Sequence, residues 1–277
     1  MGSDPPTVSR RSVLRSAGVA ASIGLAGCGM PDTDAGEVGD VEVAEPVVNS
    51  PASGAWERTD ARTGTYSMKQ FGIGVTAHER TAIFRNAQLE QRIQRETLGQ
   101  FDDRIAMFFA SHLDLRGVAT IAASPDRLSG MLLPIVEEQM ANGGIDEIRQ
   151  VATSSPLPSY PSSSTVVEYE GQFRTPRILK DVPIEDVGER TLEIPPDRLP
   201  MSGLVSVWKD DTGTAFAAGA AFPAGGFQNS NTISLTGGEG KGIDITISVD
   251  LDFPVEELRR NVVDMMASVD VVEDGSE

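Results

Sequence analysis

Apolar and polar positions along this chain follow two periods. The period of two is clearest over 243–250, where Ile243, Ile245, Ile247 and Val249 interleave with polar residues. Side chains two apart share a face of an extended chain, so this stretch predicts a half-buried strand. Thr65–Thr76 is rich in alternating and β-branched residues and predicts a strand, with Glu79–Phe84 as its hairpin partner. Arg104–Leu115, Val118–Ala123 and Thr165–Phe173 read the same way, with Ile105–Ala110 open to a buried helical turn instead. Leu204–Lys209 and Thr214–Phe222 flank Asp210-Asp211-Thr212-Gly213, a hairpin signal. Residues 175–200 hold Pro176, Pro183, Pro195, Pro196 and Pro200, and read as mostly irregular.

The helical period appears three times. Asn86 reads as an N-cap for a helix carrying Leu89, Ile93 and Thr97 on one side, with Gly99 just past its end. Ser124-Pro125-Asp126 opens a second helix, kinked or broken at Pro134 and stopped at Gly143-Gly144. Near the C-terminus Asp252 or Phe253 is the expected cap, Pro254 sits in the first turn, and Glu256 and Glu257 suit the positive end of the helix dipole. Val255, Leu258, Val262, Met265, Met266 and Val269 then make one apolar stripe. The Pro/Ser-rich segment 154–164 is a surface loop between two halves of one domain, or else a domain boundary. Together these elements predict an α+β fold. A mostly antiparallel sheet is covered on one face by two or three helices, the C-terminal amphipathic helix among them.

The first 28 residues carry a different message. Arg10-Arg11 with Arg15 forms a basic region, and 16–27 is a short run rich in Ala and Gly ahead of Cys28. That run is too short to span a bilayer, which needs about 20 residues, and it suits an export signal. Ser9-Arg10-Arg11-Ser12-Val13-Leu14-Arg15 resembles a twin-arginine signal, and Leu25-Ala26-Gly27-Cys28 resembles a lipobox. The resemblance implies passage through the twin-arginine export machinery, cleavage before Cys28 and attachment of membrane lipid to its sulfur. Arg10 and Arg11 are then the recognition residues, and the protein resides on the extracytoplasmic face of the cell membrane. Cys28 is the chain's one cysteine, so no intrachain disulfide forms.

The expected organisation is a signal peptide over 1–27, a tether over 28–55 and an α+β globular domain over 56–277. The tether holds Asp32, Asp34, Glu37, Asp40, Glu42 and Glu45 without Lys or Arg, a composition that favours disorder. About 27 flexible residues span on the order of 30 Å.

Charge sharpens the class. The formal net charge is −18, and 1–27 contributes +2, leaving −20 from Cys28 onward. Lysine occurs only at 69, 180, 209 and 241. An acidic, lysine-poor chain resembles proteins of salt-loving archaea, in which salt screens self-repulsion. Nucleic acid is excluded as a partner, because phosphate binding needs a basic face.

Several short motifs are decoys. Gly72-Ile73-Gly74-Val75-Thr76-Ala77 spells G-x-G-x-x-A but lies among strand-like residues rather than at a strand-to-helix turn. Residues 237–242 look like a phosphate loop yet lack its first Gly and its Ser/Thr. No cofactor is therefore expected. Ser206 and Lys209 have S-x-x-K spacing, but on a strand they face opposite sides. His112 and Asp114 share one strand face and are the candidate ligand or metal residues. Trp208 and Tyr169 are candidates for stacking on a ligand, or else core residues.

RNAQLEQRIQRETLGQFDD, FFASHLDLRG and GLVSVWKDD are the segments by which 65–269 resembles a family of uncharacterised lipoproteins of haloarchaea. That family implies no activity. A sheet closed by a C-terminal amphipathic helix is also similar in outline to the extrinsic photosystem-subunit fold. The leading expectation is a non-enzymatic, lipid-anchored binding or accessory module for an envelope protein or a small ligand. The alternatives are an extracytoplasmic hydrolase using carboxylates with His112, and a structural cell-surface spacer.

Overall fold

The computed structural model describes residues 43–49, 54–70, 73–101, 104–116, 124–154, 164–184, 188–210, 214–236 and 242–271. They form, in chain order, β1 (Pro46–Val48), β2 (Trp56–Gln70), β3 (Ile73–Asn86), α1 (Ala87–Glu96), β4 (Met107–Arg116), α2 (Pro125–Asn142), β5 (Ile145–Ser154), β6 (Thr165–Arg174), β7 (Ile178–Ile184), β8 (Gly188–Ile194), β9 (Arg198–Lys209), β10 (Ala215–Pro223), β11 (Phe227–Thr236), β12 (Gly242–Leu251), α3 (Val255–Ala267) and β13 (Val269–Val271). Seven strands make one sheet in the order β2-β3-β4-β10-β9-β6-β5, antiparallel at every step. β1–β13, β7–β8 and β11–β12 are separate two-stranded ribbons. The fold is thus mostly antiparallel sheet with three helices. None of these helices is long and apolar enough to cross a membrane.

Register assigns the faces. Thr81, Ser111, Ala217 and Val207 lie in one cross-strand row, and Ala82, Ala110, Ala218 and Ser206 in the next. Odd-numbered residues of β3, β4, β10, β9 and β6 therefore share one face, and even-numbered residues the other. On the odd face, Leu128 and Leu132 of α2 pack with Leu113, Val207, Ala215 and Ala217. On the even face, Arg259 of α3 reaches Glu168. Leu258, Val262, Met265 and Met266 join a core that includes Trp208, Phe216 and Phe222 there. Helices thus pack on opposite faces, where the sequence pattern predicts one. The reason lies in β9 and β10, which are buried on both sides over most of their length, β10 being apolar at every position. Such unbroken runs mark strands covered on both faces.

Local signals explain the helix ends. Asn86 Oδ1 accepts a hydrogen bond from Leu89 N at 3.0 Å, as its cap position predicts. Leu98 and Gly99, at φ 57° and 73°, turn the chain away after α1. Ser124 caps α2, which runs through Pro134 without a break. Pro134 is exposed, so the lost backbone bond lies on the solvent side. At α3 the cap residue is Pro254, with no side-chain bond, rather than Asp252 or Phe253.

Other expectations shift. The strand expected over 65–76 is divided between β2 and β3, which pair with each other from Gln70↔Ile73 back to Trp56↔Asn86, and both reach much further toward their far ends. Residues 175–200 hold the β7–β8 hairpin and the start of β9, because a two-stranded ribbon has free edges that accept a residue without an N–H, such as Pro183. Residues 43–49 belong to the fold rather than to a disordered tether. Val43 is buried, and β1 pairs with β13. β5 and β11 gave no pattern: β5 carries two register shifts and Glu147 at φ 55°, which scramble its alternation. The strand expected over 118–123 falls outside the described residues, as does 155–163 of the Pro/Ser-rich segment.

Candidate ligand-binding cleft

A hollow of about 160 Å³ lies between α2 and the odd face of the sheet. Its origin is in the side chains of β10. From 215 to 221 the odd positions of β10 offer only Ala215, Ala217, Gly219 and Ala221. The bulk of the strand, Phe216 and Phe222, points to the even face. Small residues lower the floor, while Leu132, Ile135, Val136 and Met140 of α2 form the roof. Phe109 and Met107 of β4, Val205 and Met201 of β9, and Phe173 of β6 complete apolar walls. The floor cannot rise at Gly219: a Cβ there would stand 2.6 Å from Leu204 O and 2.8 Å from the Phe109 ring.

Polar groups collect where the cleft meets β2 and β3. The pairing of β2 slips between Arg58 and Asp60. Before the slip Arg58 lies opposite Phe84 on the even face and pairs with Glu45. After it Asp60 and Arg62 lie opposite Ile83 and Thr81 on the odd face. A bulge of this kind re-aims every side chain beyond it. Asp60 and Arg62 thereby join Glu79 and Arg104 in lining the cleft. The hydrogen bond from Arg62 Nε to Asp60 Oδ2, at 3.0 Å, holds the Asp60 carboxyl below its ordinary value of 3.8.

Deeper in, two hydroxyls and an amide face the hollow. Thr81 Oγ1 donates to Glu79 Oε1 at 2.7 Å and lies 2.7 Å from Ser111 Oγ. Gln139, on α2, has a buried Oε1 with no hydrogen-bond partner among the described residues. Below the neighbouring part of α2, burial pushes the Tyr169 hydroxyl well above its ordinary 10.0, and the Glu137 carboxylate adds to the shift.

The residues singled out from the sequence lie elsewhere. His112 and Asp114 do share a strand face, the even one, across the sheet from the cleft. His112 Nδ1 lies 2.8 Å from Ala44 O, and its ring stacks on Phe216 at 5.6 Å. Asp114 accepts two bonds from Arg116. Each is thus engaged by contacts within the fold. Among the described residues no three His, Cys, Asp or Glu side chains converge as metal ligands. Trp208 stacks on Phe216 at 5.5 Å, and Tyr169 is 1% exposed, so both are core residues. Ser206 lies on the even face, as the alternation of β9 requires, and Lys209 belongs to the odd row. Ile73-Gly74-Val75-Thr76-Ala77 sits at the start of β3, so the glycine motif meets strand rather than helix. Arg10, Arg11, Leu25, Ala26, Gly27 and Cys28 lie outside the described residues, as does 237–241.

The cleft itself gave one legible trace, the small residues at alternate positions of 215–221. Their meaning depends on α2 returning over them, which alternation within one strand does not encode. Compared with known proteins, the chain matches no family model, no curated protein and no solved structure.

Proposed function

We propose that this chain is a lipid-anchored, extracytoplasmic binding module whose cleft under α2 takes up a small apolar ligand. The observation that carries the reading is the hollow itself. Protein interiors pack densely and leave few voids larger than a water molecule. An apolar hollow of 160 Å³ with charged groups at one side is the usual form of a ligand site. One continuous seven-stranded sheet supports treating the chain from Val43 onward as a single α+β domain, with α2 and α3 as covers of its two faces. The twin-arginine and lipobox motifs supply the anchor at Cys28, and the acidic, lysine-poor composition suits strong brine.

Two measurements test the reading. Toluene added to the full chain in molar salt should shift the methyl resonances of Leu132, Ile135 and Val136, and Ala217→Leu or Ala221→Leu, which raise the floor, should abolish the shift. Unperturbed methyls in the native chain would end the binding reading. For the anchor, Cys28→Ser should leave the product unprocessed or release it from membranes. A mutant that fractionates and migrates like the parent would end that part.

A further inference from the structure

The direction of the hydrogen bonds in the cleft says more about its ligand than its size does. A hydroxyl has one proton to give and two lone pairs to receive with. Thr81 gives its proton to the Glu79 carboxylate. The contact between Thr81 Oγ1 and Ser111 Oγ, at 2.7 Å, must then use the proton of Ser111. The short chain runs one way, from Ser111 to Thr81 to Glu79, and no proton is left at the Ser111 end. What Ser111 Oγ presents to the hollow is an acceptor. Across from it, on the roof, Gln139 Oε1 is an acceptor that no group among the described residues satisfies. Ser111 is fully buried, so solvent does not saturate its oxygen.

Buried acceptors without donors are costly, and native proteins retain few of them. Two acceptors on facing walls of an apolar hollow are matched by a guest that brings the protons. Size bounds that guest. An engineered apolar cavity of about 150 Å³ holds a benzene ring, and the hollow here is 160 Å³. Resting on the binding reading above, we propose that the ligand is a compact apolar molecule of about one ring, or the end of a larger one, bearing a hydroxyl that donates to Gln139 Oε1. Ser111 Oγ is the second acceptor, on the facing wall.

The test compares phenol with toluene, which differ by a hydroxyl in place of a methyl. Calorimetric titration of the full chain in molar salt should show phenol bound about tenfold more tightly than toluene, the size of one satisfied buried hydrogen bond. Gln139→Leu should bring the two within about twofold of each other by weakening phenol relative to toluene. Should that variant lose its fold by circular dichroism, Gln139→Met carries the same expectation. Ser111→Ala should reduce the preference for phenol over toluene less than Gln139→Leu does. Equal affinities in the native chain, or a phenol preference that survives Gln139→Leu or Gln139→Met, would overturn the hydroxyl inference while leaving the binding reading in place. Binding of neither probe would overturn both.

Discussion

Gly219 is the residue on which the shape of the cleft floor turns. Its neighbours occupy the volume a methyl group needs, and one of them is the Leu204 backbone carbonyl, which cannot swing aside. Gly219→Ala should therefore destabilise the protein by about 1–3 kcal/mol, as overpacking does. At this chain length that corresponds to a melting point lower by about 2–4 °C per kcal/mol, read by thermal denaturation in high salt. Glu90 is a second residue whose surroundings set a measurable property. It is buried in the first turn of α1, and desolvation raises its pKa above 4.5 even though Arg85 Nη1 donates to it at 3.0 Å. A raised folded-state pKa means the folded protein holds the proton more tightly than the unfolded chain. The protonated form thus stabilises the fold at low pH, and that contribution is lost as pH rises from about 4.5 through the folded value. Glu90→Gln removes this titration. Its stability should change less than that of the parent across that interval, which parallel urea titrations at several pH values would detect. Identical pH dependence in the two proteins would contradict the assignment.

At the scale of elements, legibility follows from how locally each element is determined. The Asn86 cap, the Ser124-Pro125 start and the stripe of α3 were readable because their causes lie within one or two helical turns. The β9–β10 hairpin was readable because Asp210 fastens it locally: Asp210 N donates to Thr214 O, and Thr214 N donates to Asp210 Oδ1. β1 was not readable, since its partner lies over two hundred residues away. The face that each helix covers depends likewise on chain return, and so does the cleft. The β11–β12 ribbon shows an intermediate case. Its alternation was visible in β12, but its attachment is tertiary: Asn229 Nδ2 and Asn231 Nδ2 donate to Pro195 O and Glu193 O at 2.8 and 2.7 Å. Asn231→Ala should loosen this ribbon selectively. Hydrogen exchange should accelerate in 227–236 and 242–251 while β9 and β10 stay protected. Uniform acceleration across the sheet would show that the ribbon is not a separate unit of stability.

For the whole molecule, charge is the dominant property. A net −18 in a chain of this size repels itself, and the listener to that repulsion is the ionic strength: the Debye length is about 3 Å in 1 M salt and about 10 Å in 0.1 M. Ion pairs such as Arg149–Glu170, Arg177–Glu193 and Arg198–Glu147 are exposed arginine–carboxylate contacts, so they offset little of it. Stability should therefore rise with salt, and dialysis from molar potassium chloride to 0.1 M should lower the melting point. A melting point that falls as salt is added would refute the screening argument. The β1–β13 ribbon has a mechanical consequence. Pro46 faces Val271 and Val48 faces Val269, so the start of the segment 46–48 and the end of the segment 269–271 lie side by side. A force drawing those two segments apart meets the pairs in succession, as the teeth of a zip, instead of shearing all of them together. Under load the molecule would give way first at this clasp, at low force, before the seven-stranded sheet bears any strain.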